Sequence, residues 1–115
     1  MNTYLKQRVE ELLNRYDAAT LATFGQAGPQ ISIVPYETRD LQLHLFIPRH
    51  SDHLFNLETQ ADLVVLSPTW RLHGRSLTAG NATAPHEWQS AVCVQPIRLH
   101  ILSEDGQSTI ETIDF

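Results

Sequence analysis

Between residues 3 and 16 the apolar side chains Leu5, Val9, Leu12, Leu13 and Tyr16 recur at helical spacing, and Lys6, Arg8, Glu10, Glu11 and Arg15 fill most positions between them. That pattern predicts an amphipathic helix lying on another element, with Thr3 as its N-cap. From residue 19 the period changes to two. "ATLATF" (19–24) and "QISIVPYE" (30–37) read as strands joined by the Gly/Pro turn "GQAGP" (25–29). Over 41–47, Leu41, Leu43, Leu45 and Ile47 point one way while Gln42, His44 and Phe46 point the other. Ser51 is placed to cap a short helix from 52 to about 60. "ADLVVLS" (61–67), nearly all apolar, reads as a central strand, and "PTWRLHGR" (68–75) reads as a loop. "SLTAGNATA" (76–84) reads as a fifth strand with Gly80 at a bulge or close approach. "SAVCVQPIRLHIL" (90–102) is a long strand that Pro96 divides or bulges, and "STIETIDF" follows the turn "SEDGQ" as the last one.

One N-terminal helix, a run of antiparallel strands and one short inserted helix describe a mainly β chain. Six to seven strands of this length close most simply into a small barrel. Side chains fill the interior of a small barrel, so a ligand belongs outside it or between subunits. At 115 residues the chain is one domain, 1–115, by length. A domain of that size buries roughly two-thirds of its unfolded surface, and a second copy would hide more.

The net charge is -5 and Lys6 is the one lysine, which excludes the concentrated basic face of a nucleic-acid binder. The remaining basic residues are arginines, whose planar fork suits phosphate and carboxylate. Cys93 stands alone, so no intrachain disulfide forms. "MNTYLKQRVEELLNRY" has no apolar signal segment, and no apolar run reaches the length of a membrane span. A cytoplasmic protein without a membrane partner is the expectation. There is no G-x-S-x-G and no cysteine in a basic setting, so nucleophilic catalysis finds no foothold.

Candidate chemistry gathers where the third strand hands over to the inserted helix, at Arg49, His50, Ser51, Asp52 and His53. A helix N-terminus beside an arginine can seat an anion, and the same residues can simply cap the helix. His50, Asp52 and His53 are metal-capable types, but their spacing marks no fourth ligand and no metal is assigned. His44, opposite the leucine face of its strand, is expected at the surface or an interface. Trp70, in the proposed loop, is expected as an interface anchor. Arg98 and His100 share a face that reads as solvated, and Cys93 as a small packed residue.

Taken in order, "LATFGQAGPQISIVPYE", "LQLHLF", H-x-x-N-L (His53 to Leu57), "ADLVVLS" and L-T-A-G-N-A (77–82) resemble the pyridoxamine 5'-phosphate oxidase-like FMN-binding split barrels. The likeness covers residues 18–84. It implies a homodimer with FMN at the subunit interface and its phosphate held by Arg49, Ser51 and His53. It also implies a flavin ring along Ser32, Ile33, Val34 and Pro35, with Trp70, Arg71 and Arg75 contributed by the partner. The activity implied is that of a small flavin-dependent oxidoreductase acting on a small molecule that the sequence does not specify. Haem binding through histidines, known among similar barrels, and a cofactor-free dimer are the alternatives. The chain departs from the true oxidases in two places. Strand two carries no Lys or Arg from Gln30 to Glu37, and no C-terminal substrate segment precedes Phe115. Arg71-Leu72-His73-Gly74-Arg75 matches the R-L-H-x-R of that segment, but too early in the chain, and is read as coincidence.

Overall fold

The computed structural model describes residues 1–77 and 83–115. Its elements are helix α1 (Thr3–Leu13), strands β1 (Ala18–Thr23), β2 (Gln30–Arg39) and β3 (Gln42–Pro48), helix α2 (Asp52–Thr59), and strands β4 (Asp62–Leu66), β5 (Trp70–Leu77), β6 (Gln89–Leu102) and β7 (Thr109–Asp114). All strand pairings are antiparallel. The order β3-β2-β1-β4-β5-β6 closes into a six-stranded barrel because β3 also pairs with β6, and β7 adds one further strand to β6. No helix among the described residues is long and apolar enough to cross a membrane.

Alternation along each strand fills the barrel. Leu21, Leu43, Leu45, Ile47, Val65, Leu72, Val94 and Leu99 are wholly buried, contributed by β1, β3, β4, β5 and β6. No room remains inside for a ligand, as expected for so small a barrel. Pro96 does not break β6. The strand runs through it, and the register shifts between His73 and Gly74 so that Gly74 faces Pro96 and Ile97 is the extra residue. Gly74 is required there, because a Cβ would lie 2.5 Å from Val94 Cγ1.

Four sequence expectations change. β5 starts at Trp70, so 68–75 is mostly strand, not loop. Its alternation is regular, with Trp70, Leu72 and Gly74 inward and His73 and Arg75 exposed, but the inward glycine and outward basic residues disguise it. The far end of the proposed fifth strand, including Gly80, lies outside the described residues. Asn2, not Thr3, caps α1, its side chain accepting from Leu5 N–H at 2.8 Å. His44 is buried, opposite Glu37 of β2 and Cys93 of β6. β3 sits between two strands and is covered on both faces, so its outward face is not a surface.

The fourth change concerns Trp70. It has no exposed surface and meets Tyr36 edge to face at 6.1 Å. Its indole N–H donates to Leu12 C=O at 3.0 Å, and Tyr36 O–H donates to Leu13 C=O. The last carbonyls of a helix have no partner within it, and these two aromatics supply one to each. Burial also pushes the Tyr36 phenol up to about 12, which keeps it a donor at any physiological pH. Arg8 ties α1 to β7 through both Glu111 carboxylate oxygens. Trp70 is thus the docking point of α1, closed to any interface or cofactor. Trp70→Ala should lose about 3–5 kcal/mol of stability in urea unfolding, the range for a deleted core aromatic. Trp88→Ala, at a residue 58% exposed, should stay within about 0.5 kcal/mol.

Candidate functional site

β2 changes partner along its length. Gln30 to Pro35 pair with β1, whereas β3 pairs with Tyr36 to Arg39 alone. Among the described residues the first half of β2 therefore has one open edge. Ile31 and Ile33 stand 74% and 77% exposed on its outer side. Pro35 is exposed and Val34 is buried in the core. Ser32 shares the face of Val34 and Tyr36, yet remains exposed because β3 has already turned away towards β6.

α2 packs beside this edge. Pro48 ends β3, and Arg49 N–H donates to Trp88 C=O at 2.9 Å. Ser51 caps α2 as its position predicts, its Oγ accepting from His53 N–H at 3.1 Å. Arg49 is exposed, its Nε reaching Gln89 C=O at 3.5 Å, and the rest of its fork makes no hydrogen bond or ion pair among the described residues. On the inner side of α2, His53 and Asn56 lie three residues apart, one turn of helix, and both are buried.

These two side chains join a hydrogen-bonded chain anchored on the backbone. Asn56 Oδ1 accepts from Ala27 N–H at 2.8 Å, and Nδ2 donates to Gly28 C=O at 2.8 Å. The amide can therefore face only one way, and its second N–H goes to Thr23 Oγ1 at 3.1 Å. The Thr23 hydroxyl in turn meets His53 Nδ1 at 2.7 Å. The other ring nitrogen, Nε2, meets Ser32 Oγ at 2.6 Å, and the imidazole tautomer sets which partner donates at each contact. Burial holds the His53 pKa below the ordinary imidazole value, against the pull of Asp52, so the ring stays neutral.

The structure brings Ser32, Arg49, Ser51 and His53 to one edge. His53 does not offer a ring nitrogen to an anion, since both are engaged within the chain. Arg71 and Arg75 lie on β5, with β1 and β4 between them and β2. Arg75 pairs with Asp62 at 3.4 Å, and Trp70 is in the core. Among the described residues no three His, Cys, Asp or Glu side chains gather as metal ligands. Glu37 pairs with Arg39 and sits five residues from Ser32, about 17 Å along the strand. It therefore does not oppose an anion at Arg49. Thr23, Gly25 and Asn56 are the residues that sequence reasoning passed over. A Cβ on Gly25 would lie 2.9 Å from Asn56 Cα, so the 25–29 turn fits against α2 only with glycine there.

By sequence, no family model and no curated protein matches the chain. By fold, solved structures do. A candidate pyridoxamine 5'-phosphate oxidase from Listeria innocua matches with a TM-score of 0.67 at 12% identity, over 85% of this chain and 98% of that one. General Stress Protein 26 from Bacillus anthracis str. Sterne matches with a TM-score of 0.70 at 12% identity, over 98% of this chain and 100% of that one. A heme binding protein from Mycobacterium smegmatis gives 0.70 at 13% identity, over 99% of this chain but 59% of its own. The fold is that of the pyridoxamine 5'-phosphate oxidase-like split barrels.

Two predictions follow from the buried network. Asn56→Ala leaves Ala27 N–H and Gly28 C=O without partners, and should lower stability in urea by about 1–3 kcal/mol. Proteolytic nicking should rise between Gly25 and Pro29. The second concerns pH. Burial lowers the pKa of His53, and burial with Arg39 lowers that of His44 against Glu37. Below the ordinary imidazole value of 6.5 the unfolded chain takes up protons that these rings refuse. Stability should therefore be full above that value and fall as pH is lowered through it. A urea midpoint identical at pH near 7.5 and near 5.5 would contradict this.

Proposed function

We propose that the protein belongs with the FMN-binding split barrels, holds FMN at the boundary between two copies of the chain, and acts as a small flavin-dependent oxidoreductase. The observation that carries the proposal is the open edge of β2 at residues 30–35 beside the Ser51 cap of α2. An edge strand presents unpaired N–H and C=O groups that a planar heteroaromatic ring can read. The outward hydroxyls of Ser32 and Ser51, the guanidinium of Arg49 and the positive end of α2 make a seat for a phosphate. Asp52, exposed in the first turn, is an opposing charge there.

A flavin, when bound, supplies hydride or electron transfer itself. The chain's part is to bind and orient it. Arg49 and Ser51 hold the charged tail, Ser32, positioned by the Asn56–Thr23–His53 chain, offers a hydroxyl, and main-chain groups of Ile33, Val34 and Pro35 border the ring. Ile31 and Ile33, with Ala22, Val64 and Leu66 behind them on neighbouring strands, form the apolar surface that a second copy would cover. Arg75 is the outward basic residue that the partner would bring.

Haem is the second reading, favoured by the haem-binding neighbour. Burial removes His44 and His53 from consideration as axial ligands and leaves His50, His73, His86 and His100. Absorbance of the purified protein separates the cases: a flavin spectrum with FMN released on denaturation supports the proposal, a Soret band supports haem, and a colourless chain that ignores added FMN rejects both. Arg49→Ala with Ser51→Ala should weaken FMN binding at least tenfold while the fold persists. Ile31→Glu with Ile33→Glu should convert a dimer to a monomer in light scattering. An unchanged FMN affinity in the first variant would remove the phosphate assignment.

A further inference from the structure

A second cationic feature lies on the barrel's outer face, and it does not depend on the flavin reading. Arg71 and His73 of β5 stand directly opposite His100 and Arg98 of β6. The rings of His73 and His100 meet edge to face at 5.6 Å across the diagonal of this square. A chain of net charge -5 thus places two of its eight Lys and Arg, and two of its six His, on one four-residue patch. Like charges directly opposite in a sheet repel. Among the described residues the carboxylate facing the patch is Asp114 of β7, which pairs with Arg98 at 2.6 Å. On the other side, β4 presents the apolar Leu66 and Val64 opposite Arg71 and His73. Arg71 has no ion-pair partner among the described residues, and its Nε is buried without any hydrogen-bond partner. His100 Nδ1 meets Thr112 Oγ1 at 3.2 Å, which leaves Nε2 unengaged.

The β6 bulge gives this patch a concave shape. The extra residue Ile97 bends the strand beside His73, and a groove of about 330 Å³ opens between His73, Ile97, Arg98 and His100. Bulges of this kind re-aim side chains and cluster at binding sites. We propose that the groove binds a small dianionic oxyanion of the phosphomonoester type, with Arg98 as the charged fork within it, Arg71 as a second fork reaching in from beside His100, and His73 and His100 as N–H donors. Two guanidinium forks and two imidazoles suit the several oxygens of a tetrahedral dianion better than the single edge of a carboxylate.

The electrostatics give the site a direction in pH. Burial first, then Arg71, His73 and Arg98, hold His100 below the ordinary imidazole value, and Asp114 opposes them. A bound dianion would reverse that balance. Sulfate is the better probe, because it keeps its double charge where phosphate monoesters, with a second pKa of about 6, do not. The full chain is titrated with sulfate against chloride at matched ionic strength, following the His73 and His100 ring signals by NMR. Saturable shifts confined to these two rings, binding that tightens as pH falls, and an upward move of the His100 pKa are expected. Arg71→Gln should weaken binding at least tenfold, whereas Arg49→Ala with Ser51→Ala should leave it intact. Equal responses to sulfate and chloride would overturn the inference. So would binding indifferent to both Arg71→Gln and Arg98→Gln, or binding that disappears with Arg49 and Ser51 instead. The flavin proposal fails separately, on absorbance.

Discussion

The rest of the molecule depends on β2 changing partner halfway along. A strand that paired with β1 and β3 over its full length would have both edges filled. Here β3 meets only Tyr36 to Arg39 and then leaves to pair with β6, which closes the barrel. Two consequences follow from one geometry. The core becomes continuous, with Leu43, Leu45 and Ile47 carried inward. The first half of β2 is left with main-chain groups that need water or a ligand, since backbone polar groups do not stay unpaired without a penalty. α2, inserted straight after β3, can then lie against that edge, and its N-terminus arrives beside Ser32. The barrel is filled by side chains, so the split in the sheet is the place that the flavin proposal uses.

Burial and polarity are balanced differently at the two ends of β2. At the Tyr36 end, burial is almost entirely apolar, and the two polar atoms present, the Tyr36 hydroxyl and the Trp70 indole N–H, serve to satisfy the C-terminus of α1. At the Ser32 end, four polar side chains from β1, β2 and α2 make a chain anchored on the Ala27 N–H and the Gly28 carbonyl. Such a network is favourable only when every member is satisfied. Its outermost member is Ser32, 2.6 Å from His53 Nε2. The backbone fixes which way the Asn56 amide faces, and that amide holds Thr23 against the other imidazole nitrogen.

Much of this was legible in the chain. Period-two stretches mark β1 to β3, a nearly continuous apolar run marks β4, Ser51 is a cap by type and position, and Pro96 announces the bulge in β6. Those signals are local, and local signals survive the loss of tertiary context. β5 was hidden because Arg71, His73 and Arg75 hold its outer positions and Gly74 an inner one, so its alternation is of size and charge more than of hydrophobicity. His44 and Trp70 were assigned to surfaces because burial depends on which strands flank a position, and that is a property of the closed ring. The Asn56–Thr23 bond spans 33 positions and the His53–Ser32 bond 21. No periodicity reports such pairs. The trace they leave is a polar residue at His53 and another at Asn56, on the side of a helix that Leu54 and Leu57 otherwise hold to the core.

The six histidines sort by environment, and the sorting limits what the protein can do. His44 and His53 are interior; His53 is hydrogen-bonded through both ring nitrogens, whereas His44 Nδ1 is buried without a partner among the described residues. His50 and His86 are exposed, and His86 stacks on Trp88 at 5.6 Å. His73 and His100 stand among arginines on the outer face. Where a carboxylate faces an interior histidine, burial outweighs it: Glu37 at His44 and Asp52 at His53. In the flavin proposal these groups orient what is bound, and the bound group supplies the electron chemistry.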